Sequence, residues 1–131
     1  MLTELENALP KTGAKTKVYL IVNNGFYDAA QNRIAIDMLW EWCDQCGFKK
    51  GCAIGAGAGE MIKMSPLGRG PSANIGRALR RFAGSIQEGR TEETAFVEPN
   101  FPRTLFKIAA HISWKKSARM NGLKISDIRR T

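Results

Sequence analysis

Amide side chains, a glycine and two aromatic rings follow directly on an apolar run: Asn23, Asn24, Gly25, Phe26 and Tyr27 come after Val18, Tyr19, Leu20, Ile21 and Val22. Asn side chains and loop N–H groups can meet the carbonyls of a ring. A glycine lets a ligand approach the backbone, and an aromatic face lets a flat ring stack. In open α/β sheets ligands bind just past the carboxyl ends of strands, where this loop would lie. The plainer account is a turn with two packed aromatics. A second stretch, Gly55-x-Gly57-x-Gly59 followed by Glu60, suggests a closely approached backbone. It lacks the G-x-G-x-x-G spacing of a dinucleotide fingerprint, and G-x-x-x-x-G-K-[ST] does not occur. No clear helix is expected at Gly59, because Pro66 and Gly68 interrupt soon after. Tight backbone packing is the simpler reading there.

Other reactive side chains form no catalytic or metal constellation. Cys43-x-x-Cys46 falls at the end of an expected helix, whereas redox dithiols want a helix N-terminus, where the dipole lowers the thiol pKa. Zinc would need two more ligands, and only Cys52 and the single histidine, His111, are at hand. His111 sits between Ala110 and Ile112 on a helical stretch, which fits packing better than catalysis. Arg77, Arg80 and Arg81 could pair with phosphate, although a solvated helix face accounts for them. Residues 101–116 could lie on a membrane surface as a basic amphipathic helix. Packing against the domain is the plainer account.

These residues need elements to position them. The run Val18 to Val22 reads as a strand covered on both faces, as parallel sheets supply. Residues 29–45 read as a helix: Ile34, Met38, Trp42 and Cys46 recur at i, i+4, the stripe of a helix lying on a sheet. Gly47 stands where a helix-ending glycine belongs. Residues 51–55 read as a second strand of small residues. Pro71 opens a helix to about Gln87, with Ile75, Leu79, Phe82, Ala83 and Ile86 as its apolar face. Residues 91–102 read as an extended connection. Another helix runs from Arg103 to about Asn121, lined by Leu105, Ile108, Ala109 and Ile112, and a short amphipathic stretch at 2–9 precedes everything. Alternating strands and helices imply parallel pairing with right-handed crossovers.

The whole chain, 131 residues, is the size of one domain. The reading is a single α/β domain: helix and link at 1–16, strand–helix–strand–helix at 17–89, then a connection, an amphipathic helix and a basic tail at 90–131. No apolar run approaches the roughly 20 residues that span a bilayer. Three cysteines without disulfide spacing point to a reducing, cytoplasmic setting. Charge is uneven: six Lys/Arg face seven Asp/Glu through Glu60, and fourteen face five from Met61 onward. Such asymmetry suggests an anionic partner, whether nucleic acid, a membrane surface or a phosphorylated cofactor.

From Lys17 to the end the chain resembles the second half of a flavodoxin-fold family, the NAD(P)H-dependent FMN reductases, with quinone reductases as relatives. The resemblance rests on the run from Lys17 to Tyr27, on Gln31, Asn32 and Arg33, and on Gly55 to Glu60. His111 to Trp114 and Asn121 to Leu123 look like the extra C-terminal helix of one branch. That fold has parallel strands in the order 2-1-3-4-5 with FMN at the switch point. The resemblance makes residues 18–22 strand four and 51–55 strand five. It implies that Asn23, Asn24, Gly25, Phe26 and Tyr27 touch the flavin ring. Gly57, Gly59 and Glu60 would flank the mouth where substrate enters.

The family's first three strands, and the loop that cradles the FMN phosphate, have no counterpart here. The expectation is therefore an incomplete flavodoxin-like three-layer fold, a truncated or inactive half completed by oligomerisation. Its partners would be a second copy or a separate chain carrying the first half, together with a small-molecule electron acceptor and NAD(P)H. The alternative is a non-enzymatic basic module that engages nucleic acid or an acidic protein. No nucleic-acid motif beyond charge supports it.

Overall fold

A computed structural model of the chain describes residues 3–4 and 16–123, without the side chains of 62–64. The amphipathic stretch expected at 2–9 lies outside the described residues except for Thr3 and Glu4, which are helical. The basic tail lies outside them beyond Leu123. The chain divides into two compact units, Met1–Asn100 and Phe101–Thr131.

The first unit is an α/β sheet domain. Its elements are β1 (Lys17–Asn23), a 3-10 turn (Ala29–Asn32) running into α1 (Arg33–Gln45), β2 (Lys49–Ala56), α2 (Gly59–Met64), α3 (Ala73–Gln87) and β3 (Ala95–Val97). The sheet has three strands in the order β1-β2-β3, all parallel. β3 was not expected, since its residues fall in the stretch read as an extended connection. Three ladder partners, Ile54 with Ala95, Gly55 with Phe96 and Ala56 with Val97, make it a strand. α2 likewise corrects the expectation that no helix opens at Gly59.

β2 is the central strand, and every residue from Gly51 to Ala58 is buried. Its small side chains let neighbours close in on both faces. Cys52 and Ile54 pack with Phe82 of α3, joined at the edge by Tyr19, Ala78 and Leu79. The Tyr19 and Phe82 rings meet edge-on at 6.1 Å. On the opposite face Gly55 lies against Asn32 and Phe96, where a Cβ would stand 2.8 Å from the Phe96 ring. α1 and α3 therefore cover opposite faces. Both connections step the same way across the sheet, so their hands are opposite, and only one keeps the right-handed sense expected of such crossovers.

The face that α1 buries also differs from the expected one. Ile36 and Cys43 are fully buried, with Asn32 in the preceding turn, whereas Ile34 is 74% and Met38 68% exposed. The i, i+4 stripe is real, but Ile34 and Met38 point away from the sheet, while Trp42 and Cys46 are half-buried. On α3 the buried positions are Ile75, Gly76, Phe82 and Ser85, while Ala83 and Ile86 are exposed. The return from α3 is pinned across the sheet, Lys17 Nζ donating to Gly89 O at 2.6 Å and Tyr19 OH to Arg90 O at 3.3 Å.

The second unit is α4 (Arg103–Met120) with its C-terminal turn. Leu105, Ile108, Ile112 and Trp114 on it are exposed. His111 is exposed too, with its Nδ1 3.3 Å from Lys107 O and its ring 5.9 Å from that of Trp114. Among the described residues no helix is long and apolar enough to cross a membrane.

Phe82 and Ile86 test the corrected face of α3. Phe82→Ala should cost about 3–5 kcal/mol in urea denaturation, as for a large side chain removed from a core. Ile86→Ala, on the same helix and 44% exposed, should cost under about 1 kcal/mol. Equal costs would mean that the core is drawn wrongly.

Candidate functional site

The two stretches singled out by sequence meet at the carboxyl ends of β1 and β2. Asn23 is the last residue of β1, and its neighbour Asn24 extends the ladder by donating its N–H to Ala56 O at 3.2 Å. The Asn24 side chain then builds the loop. Its Oδ1 accepts the Phe26 N–H at 2.9 Å, a local turn of the kind Asn favours, and its Nδ2 donates to Asp28 O at 3.2 Å.

The second loop closes onto the first through backbone bonds. Gly59 N–H donates to Asn24 O at 2.7 Å and Ala58 N–H to Phe26 O at 2.5 Å, while Gly57 N–H reaches across to Val97 O at 3.1 Å. The glycines are needed here for space. A Cβ on Gly57 would stand 2.1 Å from Tyr27 O, and one on Gly59 would stand 2.7 Å from Asn23 Nδ2. Neither has a positive φ; the left-handed residue is Ala58, at φ 56° and fully buried. A non-glycine residue held there carries strain that its surroundings must offset, and such strain gathers at functional sites.

Asn32, which the sequence marks only through the resemblance, is the post that supports the mouth. Buried at the end of the 3-10 turn, it donates from Nδ2 to Ala29 O at 3.1 Å and to Ala56 O at 2.9 Å. Its neighbour Arg33 lies over the Phe96 ring, 4.8 Å from the centroid. Neither Ala58 nor Asn32 carries a sequence signal of its role, since an Ala between glycines and an Asn before a helix are both common.

Few side chains stand at the mouth. Phe26 is 62% exposed, Gly25 has open space where a Cβ would stand, and Asn23 is exposed. Tyr27 is half-buried, and Glu60 is exposed in the first turn of α2. Among the described residues there is no group of His, Cys, Asp and Glu fit to hold a metal. A cleft of about 700 Å³ lies elsewhere, between α3 and the sheet, floored by Ile54 and Phe82 and rimmed by Arg77, Arg81, Glu92 and Glu93. Its rim is largely self-satisfied: Glu92 takes a bond from Ser85 Oγ at 3.0 Å and pairs with Arg90 and Arg81.

The cysteines stand apart from the mouth. All three are free, and Cys43 and Cys52 are buried. Burial pushes the Cys43 thiol up from its ordinary value, with the neighbouring Cys46 adding to the effect; burial does the same to Cys52, with Glu92 adding. Both therefore stay protonated at neutral pH, which suits packing and not redox exchange. Comparison with protein-family models, with curated proteins and with solved structures returned no match.

Two measurements probe this arrangement. Gly57→Ala must force the loops apart, so it should destabilise the domain by at least about 2 kcal/mol and speed hydrogen exchange at the Ala58 and Gly59 amides first. The thiols predict a sign. Unfolded, they release protons in the ordinary thiol range, whereas the fold retains them. Their stabilising contribution is thus whole below that range and is lost as pH rises through it. The urea midpoint should fall between about pH 8 and pH 10, and fall less when Cys43 and Cys52 are replaced by Ala.

Proposed function

We propose that this chain is a flavodoxin-like, FMN-binding oxidoreductase of the NAD(P)H-dependent FMN or quinone reductase type, and that it carries the ring-side half of the flavin site. The observation behind this reading is an exposed aromatic, Phe26, beside an open glycine, Gly25, on a loop clasped at the carboxyl ends of two adjacent parallel strands.

The fit is to a flat ring rather than to a phosphate. The N–H groups of Asn24, Phe26, Gly57, Ala58 and Gly59 are all taken by protein acceptors. None of these five is left to cradle an anion. Phe26 would stack on the ring, with Gly25 and Asn23 as the groups at its edge. A bound FMN supplies two-electron exchange between NAD(P)H and a small acceptor such as a quinone. The chain's own part is to bind and orient the ring, which needs no general acid or base. A phosphate cradle would come from a partner chain, either a second copy or one that carries further strands.

Titration of the purified chain with FMN and with riboflavin, following flavin fluorescence, tests the reading. Both should quench saturably at micromolar protein and with similar affinity, because the phosphate adds little. Phe26→Ala should weaken both by about tenfold or more, the scale of one lost stacking contact. FMN bound far more tightly than riboflavin would overturn the ring-side assignment, and no quenching by either would remove the flavin reading.

A second reading, a basic module for nucleic acid or an acidic protein, draws on one observation. α4 carries Arg103, Lys107, Lys115, Lys116 and Arg119 and no acidic residue. A mobility shift on generic DNA that fades steeply with salt, in a chain that quenches no flavin, would favour it.

A further inference from the structure

β1 is the edge strand of the sheet on the side away from β3. Among the described residues nothing pairs with its outer edge. Natural edge strands are usually protected by an inward charge, a proline or shortness. β1 is seven residues long, and its interior, Val18 to Val22, holds neither charge nor proline. Ile21 is 58% exposed on it. The register with Ile54 puts Ile21 on the α3 face of the sheet, where Tyr19 packs against Phe82, and α3 leaves it uncovered.

An independent observation points to the same boundary from the other face. Arg33 at the start of α1 reaches over Phe96 on β3, so that side of the helix looks toward β3. Trp42 follows nine positions later, and at 3.6 residues per turn it lies on the opposite side, toward the open edge of β1. Ala35 and Met38 stand with it at i, i+3, i+7 spacing. On this flank Ala35 is exposed and Met38 is 68% exposed with Asp37 and Glu41 beside it, while Trp42 is half-buried against the Phe48 ring at 5.5 Å. Among the described residues, a bare strand edge and a partly apolar helix flank thus border the same open space.

We infer that this space is filled by a second copy of the chain, in a two-fold dimer that joins β1 to β1 antiparallel and continues the sheet across both subunits. The strand is complementary to itself. Centred on Leu20, full overlap sets Val18 against the partner's Val22, Tyr19 against the partner's Ile21, and Lys17 against the partner's Asn23. No like charges face each other, and every inner pair is apolar. The two-fold axis, perpendicular to the sheet, keeps each face with its own kind. The exposed Ile21 then packs beside a partner Tyr19, and the Ala35, Met38 and Trp42 flanks of the two α1 helices approach each other, with the small Ala35 allowing closeness. The inference stands on the sheet edge and does not require a flavin.

Sedimentation equilibrium of the full chain reads it directly. The wild type should be a dimer at micromolar concentration. Ile21→Lys and Met38→Lys should each weaken the dimer by at least about tenfold, since each sets like charges into an apolar contact. Ile86→Lys, the same change on an exposed apolar site of α3, should move it by no more than about twofold. Far-UV circular dichroism should stay that of the wild type in all three.

Register is tested by sign. Asn23→Glu places a carboxylate opposite Lys17 twice per dimer and should tighten it; Asn23→Lys should loosen it. A monomer at all concentrations would overturn the proposal. So would three Lys variants of equal effect, or two Asn23 variants that shift the dimer in the same direction. Because mass is the readout, failure here is distinct from failure to quench a flavin.

Discussion

A buried stretch of backbone must find all its hydrogen bonds within the protein, and in this chain the stretch from Gly51 to Ala58 is buried without a break. β2 meets the demand by having a strand on each side, which makes β1 and β3 structural necessities. The same burial dictates its composition. Large side chains on β2 would hold the helices off, whereas Gly51, Cys52, Ala53 and Gly55 let Tyr19, Phe82, Phe96 and Asn32 come into contact. Tyr19 lies so close over Gly51 that a Cβ there would stand 2.5 Å from its ring. Bulk is supplied from the neighbouring elements and received by the central strand.

The mouth extends that arrangement past the end of the sheet. Where the ladder stops at Ala56, its carbonyl is still used, by Asn24 N–H and Asn32 Nδ2 together. Gly57 then bonds to β3 while Ala58 and Gly59 bond to the β1 loop, so one short segment ties three chain segments in succession. The left-handed Ala58 follows from this: its N–H and that of Gly59 must both turn toward the β1 loop within two residues. The outcome is a rigid rim from which Phe26 projects. A rigid aromatic on a fixed rim can bind a flat ring with little ordering cost, and pre-organisation of that kind is what a ring site needs.

Much of this framework was legible in the sequence, and the failures have physical causes. β1, β2, α1, α3 and α4 lie close to where apolar periodicity, proline and glycine put them. Gly47 and Gly89, at φ 73° and 63°, end their helices as helix-ending glycines do. β3 escaped because three residues between Glu93 and Pro99 carry too little pattern to separate a strand from a link. Its strand character comes from β2, through pairing that no local window can contain. The meeting of the Asn23–Tyr27 loop with Gly57 and Gly59 follows from parallel neighbours, which bring their carboxyl ends together. Ala58 and Asn32 were missed because their roles depend on those contacts and not on their own residue types.

The rotation of α1 was a different kind of miss. Its stripe of Ile34, Met38 and Trp42 is what a periodicity argument should find, yet Ile36 and Cys43 do the burying. The helix has two apolar lines, and periodicity cannot say which one meets the helix's own sheet. Sheet geometry decides: the line that starts at Asn32, already bonded to Ala29 and Ala56, must continue inward through Ile36 and Cys43. The second line is then used only in part, Trp42 packing on Phe48 at 5.5 Å while Ile34 and Met38 stay exposed. A helix that faced only its sheet and water would keep polar residues on that side. Ala35, Met38 and Trp42 do not, and the strand beside them is an uncharged edge. The same surplus on two adjacent elements, one in hydrogen-bonding groups and one in apolar surface, describes a domain whose sheet is shaped to continue.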